Sequence, residues 1–255
     1  MIDNIIRFFQ SKKKYAKCVA LYSENDKWVV STSFINNLFD YLLYLGIEAE
    51  SLSAFDNRYR NFKLNRSSKN LSRIEGITFY NEKPHISLVF GLKNINAPNR
   101  LYLEIDNSII IDYLKIISIF KDTFNPYYGY TFNGKPKSTQ PLMYSSGLGD
   151  KFNKLSGIPK QKFEIYREWL KNNKKTKNGF LREIYNINII NSLHLIRQIN
   201  KTQTLKELIE SDPRMGKLEI VYENCFMWTI RENDIEFVRQ KIGIDNSIFI
   251  HSIML

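Results

Sequence analysis

The groups that could do chemistry in this chain are few and far apart. Its histidines are His85, His194 and His251. None has a second His or Cys at metal-ligand spacing, so no zinc site is visible. His85 and His251 lie in apolar, strand-like segments, and His194 lies in "NSLHL" beside Asn191 and Ser192. Each reads as a structural histidine. In "YSSGLGD", Ser145 and Ser146 precede glycines, but the segment is not the G-x-S-x-G turn of a nucleophile and no strand leads into it. Gly147 and Gly149 could form an anion-binding nest. Yet "GLGD" lacks the third glycine of a dinucleotide loop and the Lys-Ser/Thr of a P-loop. "LYLEID" sets Glu104 and Asp106 on one strand face, as paired carboxylates for acid–base work would need. With no further acid nearby in sequence, a solvated face of an antiparallel sheet fits them better. Cys18 and Cys225 are far apart, without a CxxC, and read as reduced buried thiols. Asp212 and Arg214 in "ESDPR" read as a paired turn. No catalytic residue, metal ligand or cofactor-binding residue is assigned on these grounds.

The elements that would position such groups follow from hydrophobic spacing. "YAKCVALYS" (15–23) predicts a strand. Residues 31–47 place Phe34, Leu38, Tyr41, Leu42 and Leu45 at helical spacing, with Ser31 or Ser33 as cap and Gly46 as stop. "RIEGITFYN" (73–81), "HISLVFG" (85–91) and "RLYLEID" (100–106) are consecutive strands with short links, so antiparallel pairing is expected. Residues 107–124 predict a helix, as do 160–173. Residues 181–196 predict one strand and a turn or short helix, and 202–211 a helix with a Thr204–Glu207 capping box. "GKLEIVYENCFMWTIR" (216–231) predicts a hairpin turning at Glu223-Asn224, with Trp228 in the core. Residues 232–244 predict a helix capped by Asn233 and stopped near Gly243, and 247–255 a last strand. Alternating helices and antiparallel strand runs describe an α+β protein, mainly antiparallel sheets with packed helices, in two similar sheet-and-helix lobes or one continuous domain. The lobes would be 1–124 and 159–255, joined by a Tyr/Gly/Pro-rich loop over 125–158.

That joining segment is the expected functional region. A stretch longer than about 12 to 15 residues without regular structure is usually functional or disordered. Its many aromatic rings make disorder costly. "YYGYTF" is expected as a short strand or extended piece packed on a sheet, with Gly129 allowing a turn or a close approach. Tyr127, Tyr128, Tyr130, Lys135, Lys137 and Tyr144 are the expected partner-binding residues.

The 37 Lys and Arg against 26 Asp and Glu give a formal charge of +11. A basic chain attracts nucleic acid, anionic lipid or an acidic protein. The positive runs, "SKKKYAK" (11–17) and "KNNKKTK" (171–177), lack the alternation of basic and aromatic residues of a nucleic-acid face. The N-terminal "MIDNIIRFFQSKKKY" does not read as a signal peptide, and no uncharged run reaches the length of a membrane span. A cytoplasmic protein without membrane contact is expected.

From residue 181 the order of features is "LREIYNINIINSLHL", "TLKELIE", "GKLEIVYENCFMWTI" and "DIEFVRQKIGI". This order resembles the C-terminal half of uncharacterised bacterial α+β proteins. "NPYYGYTF" resembles the Tyr-Gly step of immunity-like proteins of bacterial toxin–immunity systems, where it follows a long helix and opens a variable loop. The resemblance implies a non-enzymatic factor of bacterial conflict or defence systems that binds and neutralises a partner toxin or effector. It carries over no catalytic residue. The chain departs from the pattern in charge: such proteins are often acidic, so +11 requires an acidic toxin surface or a different partner. The alternative readings are a basic nucleic-acid-associated protein of anti-phage defence or a mobile element, and an enzyme whose site is assembled from distant residues such as Glu104, Asp106 and His194.

Overall fold

The computed structural model describes residues 16–23, 32–46, 51–54, 57–60, 77–80, 86–88, 100–106, 109–134, 172–243 and 247–250. Two antiparallel sheets and several helices make an α+β fold. The larger sheet has six strands: β1 (Ala16–Ser23), β6 (Arg100–Asp106), β7 (Pro126–Gly134), β8 (Ile187–Ile190), β9 (Lys217–Tyr222) and β10 (Cys225–Thr229). Their spatial order is β6-β1-β7-β8-β10-β9. The smaller sheet orders β3 (Asn57–Arg60), β2 (Ser51–Ala54), β4 (Ile77–Tyr80) and β5 (Ile86–Leu88). Every strand pair is antiparallel. The helices are α1 (Thr32–Tyr44), α2 (Tyr113–Phe124), α3 (Asn173–Lys177), α4 (Ser192–Leu195), α5 (Leu205–Ser211) and α6 (Ile235–Ile242).

The start of the expected joining segment, read as a short strand or extended piece packed on a sheet, supplies a central strand. β7 lies between β1 and β8 and so joins pairings made by both halves of the chain. Pro126 stands at its first residue, where a missing N–H is tolerated. Gly129 is needed at the crossing. It pairs with Leu21 on one side and Ile189 on the other. A Cβ there would come 2.6 Å from the Ala20 carbonyl oxygen and 2.7 Å from Leu21 Cδ2.

Strand alternation sorts the side chains. Ala20, Tyr22, Tyr128, Tyr130, Ile190 and Trp228 enter the main core. There they meet Leu205, Leu208 and Ile209 of α5, and Val238 and Ile242 of α6. On the other face α2 lies against β7. Trp228 is fully buried, and its indole N–H donates to the Met215 carbonyl at 2.7 Å. Outer strand β9 carries a Lys217–Glu219 pair at 2.9 Å, charge of the kind that protects an open sheet edge.

The helix ends follow local chemistry. Asp112 caps α2 by accepting from the Lys115 N–H at 3.0 Å, so the helix begins there and not at residue 107. Thr204 and Glu207 form the expected capping box of α5. Asn224, at φ 60, makes the β9–β10 turn. Two further expectations differ. Residues 232–234 form a 3-10 turn, and α6 starts only at Ile235, after Asp234, whose side chain makes no capping bond. Residues 247–250 form no strand: the chain turns at 247–248, and Phe249 makes only a single parallel bridge with Leu181, with Ile248, Phe249 and Ile250 all buried. The expected helix over 160–173 lies almost wholly outside the described residues.

Candidate functional site

Behind β7 sits a polar cluster enclosed by the core. Arg182, Tyr22, Tyr128 and Tyr130 are all buried. The Arg182 guanidinium donates to the Tyr22 hydroxyl, approaches the Tyr130 hydroxyl at 3.5 Å and lies 4.4 Å from the Tyr22 ring centroid. The Arg182 backbone N–H donates to the Tyr128 hydroxyl at 2.9 Å. The hydroxyls of Tyr22 and Tyr130 are 3.4 Å apart. A buried guanidinium is costly to desolvate, and hydroxyl dipoles with an aromatic face offset part of that cost.

His194 extends the cluster. Its ring stacks on Tyr128 at 5.5 Å and 8°. The Asn191 backbone N–H donates to His194 Nδ1 at 3.2 Å, and the Asn191 side chain accepts from the His194 N–H, closing a reciprocal cap on α4. Tyr185 stacks on Tyr130 at 4.3 Å.

Burial decides the protonation of these groups. It pushes the Tyr128 hydroxyl far above its usual range, against the nearby Arg182 charge, and does the same to Tyr130. It pushes His194 down to about 3. The Cys225 thiol rises to about 11 for the same reason. At neutral pH Tyr128 and Tyr130 keep their protons and the imidazole is neutral. No member of the cluster is an activated nucleophile or a base open to a substrate, so what the arrangement does is hold β1, β7 and the 181–194 segment together.

The expected site residues fall in two places. Tyr127, Tyr128 and Tyr130 have their rings inside the molecule, with Tyr127 meeting Thr176 Oγ1 at 3.2 Å. There they fix β7 in the core. Lys135, Lys137 and Tyr144 lie outside the described residues, as do His85, His251, Ser145 and Ser146. Glu104 and Asp106 are in β6, while His194 follows β8, so β1 and β7 stand between them. The structure does not bring these three together. Sequence reasoning missed Arg182. Its only signal is an arginine inside the apolar run "GFLREIYNINII".

A surface groove of about 640 Å³ lies between α1 and α2, lined by Asn37, Asp40, Tyr41, Tyr44, Asp112 and Lys115, among others. Its polar groups serve the helices. Asp112 caps α2, and its backbone N–H donates to the Tyr41 hydroxyl at 3.0 Å. The Ser118 hydroxyl donates to the Lys115 carbonyl at 2.8 Å. No nucleophile–base pair faces the groove among these groups. Among the described residues, no group of three or more His, Cys, Asp or Glu is placed to hold a metal ion. No helix of the described residues is long and apolar enough to cross a membrane.

No family profile matches the chain, and no curated protein matches it in sequence. Among solved structures, the chain is similar to the Pseudomonas aeruginosa T6SS protein PA0821. The TM-score is 0.50 at 10% identity, over 89% of this chain and 72% of that one. At such identity the likeness is one of fold.

Proposed function

We propose that the chain is a non-enzymatic protein-binding factor of a bacterial conflict system, an immunity-like protein that binds and neutralises a partner toxin in the cytoplasm. The observation that carries this reading is the fold likeness to a T6SS protein over 89% of the chain. The chemistry of the described residues supports it, because Tyr128, Tyr130 and His194 of the buried cluster are held in their neutral forms at neutral pH. The binding loop follows β7: its tyrosines anchor the strand in the core, and Lys135, Lys137 and Tyr144 beyond Gly134 are its contacts. Nucleic acid as the partner has only the net charge behind it.

The test is genetic. Cells of the native host lacking this protein are grown in contact with intact kin. Immunity predicts that they are killed by the kin and that supplying the chain in trans restores survival. Equal survival with and without the chain would refute the neutralising role.

A further inference from the structure

The corner between α3 and α4 joins dense positive charge to exposed apolar side chains. From Lys171 to Lys206 the chain has one acidic residue, Glu183. Its carboxylate is engaged by Arg239 at 3.1 Å. On α3, Lys174 and Lys177 are exposed and Lys175 is half-buried. Hydrogen bonds make the two helices one continuous surface. Arg197 Nη2 donates to the Asn178 carbonyl at 2.9 Å, and Asn191 Nδ2 donates to the Lys177 carbonyl at 3.4 Å. Gly179, at φ 85, lies directly against the Leu193 backbone, where a Cβ would overlap the Leu193 carbonyl. The hairpin turn borders the same corner, since Asn224 accepts from the Ser192 N–H at 3.0 Å.

Two features separate this corner from an ordinary lysine-rich surface. Arg197 is held in place: its guanidinium lies 3.5 Å from the Phe180 ring centroid, so less side-chain entropy remains to be lost on binding. Beside it, Leu193 is 43% and Ile196 65% exposed. Leu193 lies in α4, and Ile196 and Arg197 follow directly on the last residue of that helix. Apolar side chains next to an oriented arginine are the composition of a contact centre, with charge at its rim. Nucleic acid gains little from Leu and Ile here, because they neither pair with phosphate nor offer a ring for bases to stack on.

Resting on the protein-binding reading above, we propose that this corner is the docking face for an acidic protein partner. Apolar side chains of the partner cover Leu193 and Ile196, while its carboxylates pair with Arg197 and the lysines of α3. The basic charge, atypical of immunity-like proteins, then complements the partner.

The test places a photocrosslinker at the centre of the face, as Ile196→p-benzoylphenylalanine in the full chain in its native host. A control carries the same group at Tyr44, which is 83% exposed on α1. The expected result is one protein crosslinked from position 196 and not from 44, through a peptide of net negative charge. Ile196→Asp and Lys177→Glu, both at exposed positions, should lower affinity for that purified partner about tenfold or more with unchanged melting temperature. Arg197→Glu should do the same; a loss of melting temperature there leaves the two exposed variants to decide. Either of two results overturns the docking face alone: a partner that co-purifies but crosslinks only from position 44, or exposed-site variants that bind undiminished. Crosslinking to nucleic acid, or no co-purifying protein at all, overturns the protein-binding reading together with it.

Discussion

At the scale of single residues, the buried cluster makes two sharp predictions. His194 is held neutral, with its pKa at about 3 against 6.5 for an exposed histidine. As pH falls, the unfolded chain takes up this proton first. The stability from keeping His194 neutral is therefore complete above pH 6.5 and is lost as pH drops from 6.5 towards 3. Within that window the slope approaches about 1.4 kcal/mol per pH unit. Urea unfolding of the wild type and of His194→Gln over this range should show the wild type losing stability faster; parallel curves would show that His194 does not titrate this way. Tyr128→Phe removes the acceptor of the buried Arg182 N–H, so unfolding free energy should fall by about 1–3 kcal/mol. The structural role of His194 was expected from how histidines in apolar segments are usually buried, whereas the cap that Asn191 makes on α4 was not read from "NSLHL". Arg182 was not legible, because arginine is normally a surface residue and its compensating hydroxyls come from positions 22 and 130, far away in sequence.

At the scale of elements, signals that act over a few residues were read well. Thr204 and Glu207 announce the start of α5, and Asn224 the hairpin turn. Thr204→Ala should cost about 1 kcal/mol in unfolding free energy and leave the fold unchanged by circular dichroism. The length and place of β7 were harder to see. "YYGYTF" was expected to pack on a sheet, but its partners, β1 and β8, are distant in sequence, and its Pro and Gly argue locally for a loop. Gly129 shows what the crossing demands. Gly129→Ala would press a Cβ against Ala20 and Leu21 and should destabilise by about 1–3 kcal/mol in chemical denaturation. The delayed start of α6 shows the limit of reading caps from composition. Asn233 is a good cap residue, but the chain makes a 3-10 turn over 232–234 before the helix begins.

At the scale of the whole molecule, one six-stranded sheet draws on both halves of the chain, and β7 is the strand that joins them. The proposed binding segment after Gly134 thus follows directly on a central strand, the kind of rigid support on which binding loops are carried. Replacing residues 135–146 by a short Gly/Ser linker should keep the melting temperature and weaken partner binding; undiminished binding would make the segment a connection only. The net charge of +11 bears on the partner and not on the fold. The most direct measurement of the central claim is capture of the tagged chain from its native host, with the bound material analysed at low salt and again at about 0.5 M salt. A phosphate-bound partner is shed steeply by salt through counterion release, whereas a contact centred on apolar side chains is not. A protein-binding factor predicts one protein retained in stoichiometric amount at both salt concentrations. Nucleic acid released at high salt, with no protein retained, would contradict it.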